Sequence, residues 1–60
     1  MEKEIIVCQM DQLPKRLTCE RVIINNDDLV LLNAEVDGVY WDEVHFPMST
    51  IDSYYARTIA

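Results

Sequence analysis

The dipeptide Asp37-Gly38 constrains this 60-residue chain more than any other feature. It holds the only glycine, and Asp-Gly between apolar runs is the signal for a two-residue type I′ turn, which needs positive φ at both central positions. Leu29 to Val36 and Val39 to Phe46 flank it and are rich in the β-branched and aromatic side chains that suit strands. A two-residue loop fixes the register. Val36 then faces Val39, Glu35 faces Tyr40, Ala34 faces Trp41, Asn33 faces Asp42, Leu32 faces Glu43, Leu31 faces Val44 and Val30 faces His45. Strict alternation places Val30, Leu32, Ala34, Val36, Val39 and Trp41 on one face. Leu29, Leu31, Val44 and Phe46 lie on the other, with Asn33, Glu35, Tyr40 and Asp42 nearer the turn. Both faces therefore carry apolar side chains that need a cover.

The remaining elements follow from turn chemistry. Glu4 to Met10 reads as a strand, and the loop after it contains Pro14, which cannot donate to a ladder. Thr18 to Asn25 reads as a second strand, ended by Asn25, Asn26, Asp27 and Asp28, residues that tolerate left-handed and Asx-turn geometry. Beyond Pro47, Ser49 as N-cap with Asp52 three residues later resembles a capping box. Ile51, Tyr54, Tyr55, Thr58 and Ile59 fall at helical spacing, which predicts a helix that lies across one face of the sheet and covers Trp41. The expected fold is α+β: a four-stranded antiparallel sheet followed by one C-terminal helix (ββββα), as a single domain over residues 1–60.

Half the residues are hydrophobic, with one glycine and two prolines, a composition that excludes a disordered tail or a linker. A chain this short buries only about 60% of its unfolded surface, so the monomer is expected to be marginal and a homo-oligomer is the expected remedy. The start of the chain lacks a basic n-region and a long apolar run, and no segment reaches membrane-spanning length, so a cytoplasmic protein without membrane contact is expected. Cys8 and Cys19 fall in the first two strands and could be neighbours, close enough for a disulfide, if those strands pair around the loop between them, but a reducing cytosol favours free thiols. Two cysteines and His45 are too few and too scattered for a zinc site, and no cofactor is expected.

Charge supplies the candidate sites. Eleven acidic against five basic side chains give a net charge of -6, and no Lys or Arg occurs between positions 27 and 43. Asp27, Asp28, Glu35, Asp37, Asp42 and Glu43 fall there. With Tyr40 and Trp41 among them they suggest a surface that docks on a basic groove, although acidic turns and strand edges also serve solubility. The candidate partner-binding residues are Asp27, Asp28, Glu35, Asp37, Tyr40, Asp42 and Glu43. An opposed class of function rests on the loop cations: Lys15, Arg16 and Arg21 would contact nucleic acid, repeated in an oligomer, and Asp11 would serve a metal-dependent nuclease or nickase. No Ser-His-Asp set, glycine-rich phosphate loop or metal-binding helix motif occurs, so a non-enzymatic role is expected.

The expected strand order over residues 4–59 resembles the whirly or transcriptional-coactivator type of single-stranded-DNA-binding fold. In size and acidity the chain also resembles small phage and mobile-element proteins that inhibit host nucleic-acid enzymes, anti-CRISPR proteins among them. The first resemblance implies single-strand binding and the second implies inhibition through a protein contact. A sheet that holds single strands offers basic and aromatic residues, whereas this hairpin is acidic, so the charge favours the inhibitor. The expected function is a small acidic interaction protein that occupies a basic surface of a nucleic-acid-handling partner such as a host defence nuclease.

Overall fold

Asp37 and Gly38 adopt φ angles of 52° and 81°, the paired positive values of a type I′ turn. The strands on either side pair in the expected register, from Val36 opposite Val39 to Val30 opposite His45, and the ladder runs on to Asp28 opposite Pro47. Asn33 and Asp42 alone are not paired along it. The structure, a computed structural model, describes residues 2–59; Met1 and Ala60, the ends of the expected 1–60 domain, lie outside the described residues. Its strands are β1 (Lys3–Gln9), β2 (Lys15–Cys19), β3 (Arg21–Asn25), β4 (Asp28–Val36), β5 (Val39–Pro47) and β6 (Ile51–Thr58). One 3-10 turn, Met48–Thr50, joins β5 to β6.

The expected ββββα fold is therefore incorrect: the segment read as a helix is a strand, and the described residues form one six-stranded antiparallel sheet. β6 pairs along seven positions of β1, from Lys3 opposite Thr58 to Gln9 opposite Ile51. Its residues Ile51, Tyr54, Tyr55 and Thr58 are aromatic and β-branched, and the segment is too short to hold a helix without tertiary support. The pairing satisfies backbone groups that a helix laid on one face would leave open on the β1 edge. The helical spacing has its own explanation. Cys8 faces Ser53 but Gln9 faces Ile51, so Asp52 is an extra residue in a β-bulge. The bulge resets the alternation, and Ile51 and Tyr54, three apart, both pack against the core. Ser49 makes no cap; Thr50 Oγ1 instead donates to the Pro47 carbonyl at 2.8 Å.

β4 shows a second break in alternation. Leu29 and Leu31 are fully buried, and Ala34 joins the same cluster although it differs from Leu31 by three. Asn33 between them has a φ of 51°, a left-handed conformation that Asn tolerates and most side chains do not. The two faces expected from strict alternation are thus incorrect beyond Leu32, while the register is kept. The single expected strand from Thr18 to Asn25 is likewise divided, because Glu20 donates its N–H to the Leu32 carbonyl at 3.0 Å and separates β2 from β3. β3 pairs with Asp28 to Leu32, and Thr18 of β2 pairs with Glu35 further along β4.

β2 continues the sheet to β1, opposite which Ile5 faces Leu17 and Ala56. Ile5, Val7, Leu17, Cys19, Leu29, Leu31, Ala34 and Phe46 form the core, with Val22, Val36, Val44, Met48, Ile51 and Tyr54 packed around them. Two backbone bonds to the 3-10 turn bend the sheet round this core: Met48 N–H to the Asp27 carbonyl at 2.7 Å, and Met10 N–H to the Thr50 carbonyl at 3.1 Å. No helix among the described residues is long and apolar enough to cross a membrane.

Gly38→Val and Asn33→Val should each destabilise the protein by about 1 kcal/mol or more, since a β-branched residue resists positive φ. A Cβ at Gly38 would meet no atom within 4 Å, so the effect there is conformational and not steric crowding. Asn33→Gly should melt within about 0.5 kcal/mol of the wild type, because glycine adopts left-handed φ without strain. Equal melting of Asn33→Val and wild type in a denaturant titration would contradict the kink.

Candidate interaction surface

The β4–β5 hairpin carries the candidate partner-binding residues, and the structure distributes them unevenly. Tyr40 is 78% exposed and Trp41 53%, beside the exposed Val39. Trp41 is consequently not the covered core residue expected from a helix above it. Asp42 and Glu43 follow on the exposed strand, and Asp27 is exposed at the turn between β3 and β4. Asp28, half-buried, lies opposite Pro47 at the far end of the hairpin. Glu35 is half-buried between Thr18 and Tyr40. Asp37 stands apart from this group. It lines a cleft of about 510 Å³ with Pro14, Lys15, Arg16, Leu17 and Val36.

His45 is the one titratable base within this region. Its Nε2 lies 2.9 Å from Glu43 Oε1 and its Nδ1 lies 3.4 Å from Asp28 Oδ2. The ring sits opposite Val30, which is buried on the face away from the main cluster. The bond to Glu43, and then the bond to Asp28, hold its pKa above the ordinary imidazole range. The protonated ring links β4 to its neighbour on β5, a contribution complete below the unfolded value of about 6.5 and lost as pH rises through the raised folded value.

The residues of the opposed reading are not gathered into one patch. Lys15 Nζ donates to Gln9 Oε1 at 3.2 Å and lies 5.9 Å above the Phe46 ring, while Arg16, the next residue along the strand, points to the other face and approaches Glu4 at 3.6 Å. Arg21 opens β3, beyond the break at Glu20, opposite Leu32. Arg57 on β6 is instead the neighbour of Arg16: its Nε donates to Glu4 Oε1 at 2.9 Å, so one carboxylate serves two guanidiniums. Only the β1–β6 pairing, unseen in the sequence, reveals it. Asp11 has a φ of 60° in the turn after β1, a conformation that favours Asp on backbone grounds alone. Among the described residues no three His, Cys, Asp or Glu side chains converge as a metal site.

The cysteines are free. β1 and β2 do pair, but Cys19 faces Lys3, five residues from Cys8, about 17 Å along a strand and far beyond the roughly 7 Å Cα limit of a disulfide. Burial raises the Cys19 pKa above that of an ordinary thiol.

Compared with protein-family models, curated protein sequences and solved structures, the chain matches none. Among the described residues the ββββα order behind the resemblance to coactivator-type folds is absent.

In an NMR titration the His45 ring should lose its proton above the ordinary imidazole range, and Glu43→Gln should lower that midpoint more than Asp28→Asn does. A midpoint unchanged in both variants would contradict the paired geometry.

Proposed function

We propose that this chain is a small acidic interaction protein that occupies a basic surface of a nucleic-acid-handling partner, such as a host defence nuclease, and inhibits it. The observation that supports the reading best is the exposure of Tyr40 and Trp41 beside Asp42 and Glu43, on a stretch without Lys or Arg from 22 to 56. Desolvated aromatic anchors carry most of the energy of a protein interface, and complementary charge speeds encounter and selects the partner. The same charge repels phosphate, which argues against the hairpin as a nucleic-acid surface. Such a partner would be met in the cytoplasm. Self-association belongs to the reading too, since Ile24 on β3 and Tyr55 on β6 remain exposed.

Asp27→Lys, Tyr40→Ala and Asp42→Lys combined should abolish capture of a nucleic-acid-binding protein from cell lysate while stability stays within about 0.5 kcal/mol per substitution. These three were chosen because Asp28 and Glu43 hold His45 and their loss would confuse fold with contact. Added single-stranded DNA should displace the chain from the captured protein. Undiminished capture by the triple variant would end the proposal. A gel shift by the wild type at physiological salt that weakens with Lys15→Ala and Arg16→Ala, or plasmid nicking lost with Asp11→Asn, would favour the opposed reading.

Light scattering after size exclusion should give a mass above 7.0 kDa at micromolar concentration, with a melting temperature that rises with protein concentration. A folded, concentration-independent monomer would remove self-association from the account.

A further inference from the structure

We infer that the outer edge of β5 receives an extended, basic segment of the partner as an added antiparallel strand, an inference that rests on the proposed acidic-interaction role. β5 spans nine residues and pairs only with β4 among the described residues, so one edge of its backbone presents unpaired N–H and C=O groups. Its side chains are exposed from Val39 to Glu43. An incoming strand would therefore meet the exposed Tyr40, Trp41, Asp42 and Glu43 along this edge. Main-chain bonds would supply the pairing, and the alternating side chains would supply the choice of partner.

Charge decides the occupant. A second copy paired antiparallel through the middle of β5 would set Glu43 against Glu43 or against Asp42, and like charges placed opposite each other destabilise a ladder. A segment with Lys or Arg at alternate positions meets carboxylates instead. The edges of β3 and β6 offer no such selection. β3 begins with Arg21, and β6 carries one Asp and one Arg, the latter engaged with Glu4. The carboxylates on β5 thus guard the edge against self-pairing and leave it open to a cationic strand.

The test uses the full chain, labelled with ¹⁵N, and a synthetic peptide Lys-Thr-Lys-Val-Lys-Thr-Lys. Two further versions carry N-methyl groups on alternate residues in the two opposite phases. A strand added at one edge uses only alternate N–H groups, so one phase should weaken binding at least about tenfold and the other by less than about twofold. Amide shifts should concentrate on residues 39–46, and Asp42→Lys with Tyr40→Ala should weaken the unmodified peptide at least about tenfold. Equal effects of both N-methyl phases would overturn strand addition while leaving charge-based docking intact. Shifts centred on β3 or β6, or no binding at low salt, would also overturn it, and capture that still depends on Asp42 would then show that the broader role survives.

Discussion

β4 is bonded to three other strands, and the rest of the sheet is arranged around that fact. β5 takes one edge along its whole length, while β3 and β2 share the other, β3 beside Asp28 to Leu32 and β2 at Glu35. No straight strand with strict alternation meets these demands and also keeps Leu29, Leu31 and Ala34 on one side. The left-handed Asn33 reconciles them by turning the strand at the point where its neighbour changes from β3 to β2. Glu20 breaks the facing strand at the same level, and Asn33 Nδ2 donates to Glu20 Oε2 at 3.3 Å across the junction.

β1 is the second central strand, and its burial follows from partners on both edges. Ile5 and Val7 are fully buried, with Leu17 and Ala56 beside Ile5 and Tyr54 beside Val7 in the ladder. At about 1.5–3 kcal/mol for each fully buried aliphatic side chain, these few positions decide whether so small a protein folds. With the inner side chains committed to this core, the aromatic residues near the hairpin tip are left in solvent. Tyr40 and Trp41 lie past the last full layer of buried residues on β5, Phe46 and the half-buried Val44. An exposed aromatic and acidic surface thus arises where the core ends.

Local chemistry made part of this legible in the sequence. Asp37-Gly38 specifies a turn and a register through backbone sterics alone, and both are found. The alternation-based faces failed because one Asn in left-handed geometry shifts the phase, and Asn within a strand gives no notice of it. The helix failed for a related reason: a bulge at Asp52 makes three-residue spacing in a strand look like a helical stripe. One signal pointed the other way, since Glu4 to Met10 is a near-continuous apolar run of the kind that marks a strand paired on both edges. Of the candidate site, Asp42, Glu43 and Tyr40 were visible as charge and aromatic content. The cleft that Asp37 shares with Lys15, the contact of Asp28 with His45 and the role of Arg57 depend on pairings between separate segments.

Native-state amide hydrogen exchange measures this division between anchored strands and free tip most directly. The amides of Leu29, Val30 and Leu31 in β4 should exchange at least about a hundredfold more slowly than those of Tyr40, Trp41 and Asp42, because they open only with global unfolding. Comparable rates at both sets of residues would contradict β4 as the strand on which the fold depends.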